Sequence, residues 1–183
     1  MIPGILASVA AALYLSAVPA GDDLPAAPAG LAWKRIDAVR AAFLVPEGWH
    51  FKQEKNGDTI AFFITAEDIE KNGGFQTGLT VNVIHLKKDA APERAARFIA
   101  DLAEAAEIPT QWHEEKGVMT IFGCKARKEE AGYPPLRMHT LAVGNGRTNA
   151  LYLMTFESPE SSWEDAWKKG RFILEEFVLD DGY

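Results

Sequence analysis

The sequence contains one cysteine in 183 residues. A lone thiol cannot close an internal disulfide, and it cannot build a thiolate cluster for zinc or iron–sulfur. Basic residues are outnumbered, with 19 Lys and Arg against 26 Asp and Glu and a net charge of −7. A general nucleic-acid binder needs the opposite balance, because a basic field must displace phosphate counterions. Charge of either sign is missing from the N-terminus, where the first charged side chain is Asp22. The signatures of several enzyme classes are missing as well. His113-Glu114-Glu115 lacks the second histidine of a zinc helix, and Asn72-Gly73-Gly74-Phe75 lacks the Lys-Ser/Thr of a phosphate loop. No serine stands in G-x-S-x-G. What is present, 48% hydrophobic and 25% charged residues, is near the average for soluble domains. That excludes a multi-span membrane protein, a disordered chain and a fibre.

The uncharged start has the composition of an address. Ile5 to Leu15 is densely apolar and has the length of a secretory h-region. Val18-Pro19-Ala20 then offers small or β-branched groups to a signal peptidase, so residues 1–20 are expected to be a signal peptide cut before Gly21. Its n-region has no Lys or Arg. A retained anchor and a buried helix are the other readings. Pro3, Gly4 and Pro19 shorten the usable run below the ~20 residues that span a bilayer. Residues 21–32, rich in Ala, Pro and Gly, read as a flexible tether. Residues 33–183 are expected to form a single domain, large enough to bury its own core.

Within that domain, strands predominate. Trp33–Ile36 and Ala41–Val45 are short candidates. Trp49–Lys55 and Thr59–Thr65 flank Asn56-Gly57, a hairpin signal that asks for positive φ at both positions of a type I′ turn. Leu79–Leu86 is a further strand. The period then changes to helical: Ala95, Phe98, Ile99, Leu102 and Ala106 make one stripe, with Asp89 placed to cap it, Pro92 in its first turn and Pro109 to stop it. Thr110–Glu115 and Val118–Lys125 flank Lys116-Gly117. Leu136–Val143 and Ala150–Phe156 flank Gly144-Asn145-Gly146. Ser161 and Glu164 have capping-box spacing ahead of a second stripe through Trp163, Ala166, Trp167, Gly170, Ile173, Leu174 and Phe177. Val178-Leu179 is a last extended piece. Tight hairpins imply an antiparallel sheet. Leu79, Val81 and Val83 on one parity, with Ile84 and Leu86 on the other, imply that both faces are covered. The expected fold class is α+β, a mostly antiparallel sheet flanked by two amphipathic helices as an α/β/α sandwich.

Phe43-Leu44-Val45-Pro46-Glu47-Gly48-Trp49 resembles the F-x-x-P-x-G-W opening of the PsbP-like superfamily and its bacterial DcrB-type relatives. The order of strands and helices from Trp33 to Leu179 is similar too, with Phe62-Phe63, Gly123, Tyr152, Phe156 and Phe177 in matching places. The resemblance implies a non-enzymatic accessory or binding module. Known members include an extrinsic photosystem II subunit, a Ran-binding import factor and bacterial envelope proteins. No residue here matches a photosystem-docking or Ran-docking surface.

The remaining chemistry-bearing residues each have a structural reading. His85 and His139 share strand parity with apolar neighbours and read as core histidines. Convergence of His50, His85, His113 and His139 on a metal is the competing reading. Cys124 reads as a buried, inert residue, because an exposed thiol in an oxidising compartment would cross-link. Ser158, Ser161 and Ser162 suit a helix start. The adjacent acidic pairs Glu114-Glu115, Glu129-Glu130, Glu175-Glu176 and Asp180-Asp181 diverge in direction and suit solvent. Trp163 and Trp167 read as core, and Trp112 as a partner-facing aromatic. The expectation is therefore an exported, non-catalytic module with a protein partner in the cell envelope and no cofactor, metal or catalytic residue. The alternatives are a small-ligand carrier with a pocket between sheet and helix, or a metal-assisted exported enzyme.

Overall fold

The computed structural model describes residues 24–87 and 90–179. The expected leader and the expected cap Asp89 lie outside the described residues. In chain order the elements are β1 (Leu31–Ile36), β2 (Ala41–Pro46), β3 (His50–Asn56), β4 (Thr59–Thr65), α1 (Ile69–Asn72), β5 (Gly78–His85), α2 (Ala91–Ala105), β6 (Glu107–Lys116), β7 (Met119–Lys128), β8 (Leu136–Asn145), β9 (Ala150–Pro159), α3 (Trp163–Glu175) and β10 (Phe177–Leu179). Seven strands form one sheet in the order β3-β4-β5-β9-β8-β7-β6, and β1-β2-β10 form a small second sheet. Every pairing is antiparallel. The fold is α+β, and the second sheet is the part the strand pattern did not separate from the first.

Strand parity explains the layers. Leu79, Val81 and Val83 of β5 pair with Phe156, Met154 and Tyr152 of β9, and all six are buried. Together with Phe62 and Ile64 they meet the small sheet and α3, through Phe43, Leu44, Ile173 and Leu174. Each such fully buried side chain contributes about 1.5–3 kcal/mol over its exposed state. The opposite parity, Cys124, Ala126, Met138, Ala142 and Leu151, meets Ala95, Ile99 and Ala103 of α2. The α2 side is built from small residues, so the helix rides close. A Cβ on Gly144 would come within 2.6 Å of the Ala91 carbonyl carbon.

Helix and turn boundaries depart from the local pattern in instructive ways. The two residues between β3 and β4 are Gly57 and Asp58, because Asn56 pairs with Thr59. Gly57 alone takes positive φ there, at 59°. The expected Asn-Gly turn is thus displaced by one residue. Helix α2 ends at Ala105, before Pro109, which sits inside β6 where the pairing to β7 slips between Glu107 and Thr110. A proline is tolerated at that bulge because β6 is an edge strand. The capping box of α3 does not form. A 3-10 turn over Glu160–Ser162 precedes the helix, Ser162 makes no cap hydrogen bond, and Glu164 faces Arg137 at 3.7 Å. The reason is that Glu160 accepts from both Arg127 and Arg137, which fixes the turn ahead of the helix. β1 begins at Leu31, two residues before the expected domain start. The Trp33 indole N–H donates to the Pro25 carbonyl at 2.7 Å, so the end of the expected tether is held against the sheet.

Helix α2 takes its cap from a distant turn. The Asn149 side-chain Oδ1 accepts the backbone N–H groups of Ala90 at 3.1 Å and Ala91 at 3.2 Å, and Nδ2 donates to the Leu86 carbonyl at 2.9 Å. Asn149 itself has φ 53°, a left-handed conformation that Asn tolerates. One side chain thereby locks the β8–β9 turn to the β5–α2 connection. Replacing Asn149 by Ala is expected to cost about 1–2 kcal/mol in urea denaturation, the usual range for a lost cap. Asn149→Asp keeps the acceptor and suits a helix N-terminus, so it should lose less.

Candidate functional site

The four histidines lie on four different strands, and none of those strands is adjacent to another. His50 is on β3, His85 on β5, His139 on β8 and His113 on β6, at alternate positions across β3-β4-β5-β9-β8-β7-β6. β5 and β8 are separated by β9, as β3 and β5 are by β4. With strands ~4.7–4.9 Å apart, even these pairs are roughly 9–10 Å apart or more. Direct metal ligation demands about 2 Å to each ring nitrogen, so the histidines do not converge. His85 has the parity expected of it but stands at the strand end and is exposed. His113 is exposed on the edge strand, with Nε2 2.9 Å from Glu115.

His139 is a packing residue. Its ring lies 4.9 Å from Trp163 and 4.2 Å from Trp167, ring centre to ring centre, and the two indoles stack at 5.3 Å. Burial, helped by the positive charges of Lys125 and Arg137, lowers its pKa from 6.5 to about 4. Cys124 is buried at 1% exposure under α2, and burial pushes its thiol pKa upward. A thiol that resists ionisation is a poor nucleophile. Trp112 is 37% exposed and packs over Gly123, where a Cβ would collide with the indole. The glycine is thus a requirement of the indole's close approach.

A cavity of about 460 Å³ opens at one end of the large sheet. Helix α2 packs mainly over β8, β7, β9 and β6. The β4–β5 connection, carrying α1, and the β7–β8 connection fold over this corner, and the space between them is the cavity. Asp68 caps α1 by accepting from the N–H groups of Glu70 and Lys71, and Glu67 accepts from the Thr77 N–H at 3.2 Å. These bonds hold the first connection in shape. Phe75 reaches over Phe63 of β4 at 6.4 Å and lines the cavity with Tyr133, Pro134 and Leu136.

Glu157 of β9 supplies the most unusual group in this lining. It shares strand parity with Leu151, Leu153 and Thr155, so it points to the α2 side of the sheet. It is half-buried, and desolvation pushes its carboxyl pKa upward while Lys128 pulls it back down. Among the described residues its carboxyl makes no hydrogen bond and no close ion pair, and the more distant Lys128 is the charge that attracts it. A desolvated carboxylate in a cleft is a candidate functional group on physical grounds. The cavity lies between two connections rather than between sheet and helix, where a carrier pocket was expected.

Comparison with solved structures places this architecture. The chain aligns with cyanobacterial PsbP (CyanoP) from Synechocystis sp. PCC 6803 over 88% of its own length and 99% of that chain, with a TM-score of 0.54 and 15% identity. The fold is PsbP-like. LpqN, involved in cell envelope biogenesis of Mycobacterium tuberculosis, aligns over 76% of this chain and 83% of its own, at TM-score 0.49 and 9% identity. The Ran-binding protein Mog1p of Saccharomyces cerevisiae aligns over 81% and 95%, at TM-score 0.49 and 9% identity. No family model and no curated protein matches the chain. Identities this low speak to fold alone.

In this PsbP-like fold the Phe43–Trp49 motif has a mechanical role. Phe43 is fully buried against Phe177, with ring centres 6.3 Å apart. Pro46 ends β2, Gly48 takes φ 78°, and the Trp49 N–H closes the turn on the Pro46 carbonyl at 3.0 Å. The motif carries the chain from the small sheet into the large one. The cavity residues Phe75, Tyr133 and Glu157 were not singled out by sequence. Glu157 could have been, as a carboxylate continuing the core-facing parity of Leu151, Leu153 and Thr155. Tyr133 and Phe75 stand in connections, where no periodicity marks them.

Two predictions follow from the buried titratable groups. The folded-state pKa of His139 lies below its unfolded value, so the unfolded chain takes up the proton first on acidification. Stability carried by neutral His139 should fall as pH drops from about 6.5 to about 4 and level off below; His139→Phe should flatten that slope in thermal melts. For Glu157 the sign is opposite. A raised folded-state pKa means that stability declines as pH rises through it. Glu157→Gln should therefore raise Tm at pH 7, with the gain shrinking at pH 4.

Proposed function

We propose that this chain is a non-catalytic binding module that is exported and acts through a protein partner in the cell envelope. The observation that carries this reading is the cavity corner. Tyr133, 69% exposed, stands beside a cleft lined by the half-buried Glu157. Tyrosine is among the residues that dominate interface energies, since it offers a rigid apolar face and a polar tip. An unpaired, partly desolvated carboxylate lowers the stability of the isolated domain, a cost that a partner's charge would offset.

Other features support the module over an enzyme. The histidines stand apart, the thiol is buried, and His139 is packed against the stacked indoles of Trp163 and Trp167. Among the described residues no helix is long and apolar enough to cross a membrane. Export rests on the uncharged apolar segment before Asp22 and the small residues at Val18 and Ala20.

Replacing Tyr133 with a photo-cross-linking phenylalanine analogue in intact cells should yield one specific adduct, and the same analogue at the exposed Glu104 of α2 should not. Equal adduct patterns from both positions, or none from Tyr133, would refute the reading. Export is checked by N-terminal sequencing of the protein from the periplasm or medium. The sequence should begin at Gly21; a protein found in the cytoplasm that begins at Met1 would refute it.

A further inference from the structure

We propose that the cavity between the β4–β5 and β7–β8 connections binds an organic cation, an alkylammonium or guanidinium group, presented on a basic side chain of the partner. This deepens the binding-module reading and rests on it. The lining carries three carboxylates, Glu67, Glu130 and Glu157, against one ammonium, Lys128. Lys128 lies 3.4 Å from Glu130 and also attracts Glu157, so one ammonium is shared among three carboxylates and the lining keeps a net negative charge. An anion would meet like charge. A neutral polar ligand would leave a partly desolvated carboxylate uncompensated, which is the costly arrangement. A bare metal ion is the wrong shape of cation. Among the described residues no three His, Cys, Asp or Glu side chains are grouped to hold one.

The rest of the lining suits a cation with a hydrocarbon stem. Phe75 and Tyr133 offer aromatic faces, and Pro134 and Leu136 add apolar wall. A cation near such a ring gains about 0.5–2 kcal/mol, most when water is excluded. The chain uses the same pairing elsewhere, with the Lys169 ammonium 5.8 Å from the Trp49 ring and that of Lys125 5.7 Å from Trp112. A volume of about 460 Å³ admits a Lys or Arg side chain together with some of the backbone that carries it. The carboxylate inside provides direction and the rings provide contact area, the usual division of labour in a concave site.

Side-chain analogues test the chemistry directly. n-Butylammonium and n-butylguanidinium, titrated into the ¹⁵N-labelled protein, should give saturable shifts at the amides of Phe75, Tyr133 and Glu157, and n-butanol should not. Glu157→Gln, which conserves shape, should weaken binding by about tenfold or more, the value of one charge-assisted contact. Lys128→Gln removes the internal competitor and should tighten it. Equal shifts with n-butanol, or unchanged affinity in Glu157→Gln, would overturn the cation site.

The source of the cation is tested in intact cells with the cross-linker at Tyr133, with and without Glu157→Gln. Loss of the adduct in the variant supports a partner's basic side chain. An adduct that persists in the variant overturns the cation proposal while the partner reading stands. Analogue binding in vitro with no adduct from the wild-type chain overturns the partner-borne source and leaves a free amine as the ligand.

Discussion

Everything in this molecule depends on a seven-stranded sheet whose inner strands are apolar on both parities. Such a sheet cannot leave either face in water. One face takes the small sheet and α3, and their contact forms the larger core around Phe43, Phe62, Tyr152 and Phe156. The other face takes α2 alone. One helix is narrower than seven strands, so a corner of that face is left for chain connections to cover. The site is a consequence of this mismatch, because two connections closing over a sheet end pack less tightly than a helix on strands.

The same asymmetry separates the roles of the ionisable groups. Arg127, Arg137 and Glu160 form a partly exposed network that ties β7 and β8 to the turn before α3. Hydrogen bonds from Arg137 and Arg127 hold the Glu160 carboxyl below its ordinary pKa, as expected of a satisfied ion pair. Glu157, three residues away along the chain, lies on the opposite parity and has no such partner among the described residues. Alternation along one strand and its continuation puts a structural carboxylate on one side of the sheet and an unsatisfied one on the other.

Legibility in the sequence followed physical range. Periodicity marked both long helices, through the stripe Ala95, Phe98, Ile99, Leu102 and Ala106 and later through Trp163, Ile173 and Leu174, although the fully buried line of α2 runs through Ala91, Ala95, Ile99 and Ala103. Hairpins and antiparallel pairing were legible from turn residues and short spacings. Caps were not. The Ser161–Glu164 pair has the right local spacing, yet an arginine–glutamate network shapes the start of α3, and an acceptor for α2 comes from Asn149, far along the chain. A cap needs only one acceptor, and any part of the chain that folds nearby can provide it.

The sequence by itself determined the α+β class, the two-sided burial and the buried setting of Cys124. Each follows from residue type and short-range spacing, which act before the chain has a tertiary structure. Tertiary structure alone decided the separate small sheet, the scattering of the histidines across alternate strands, and the cavity with Glu157 in its lining. Those features depend on strand order and on which connections meet in space. Strand order brings residues 67–76, 128–136 and 157 to one end of the sheet, and no local pattern in any of the three segments encodes that meeting.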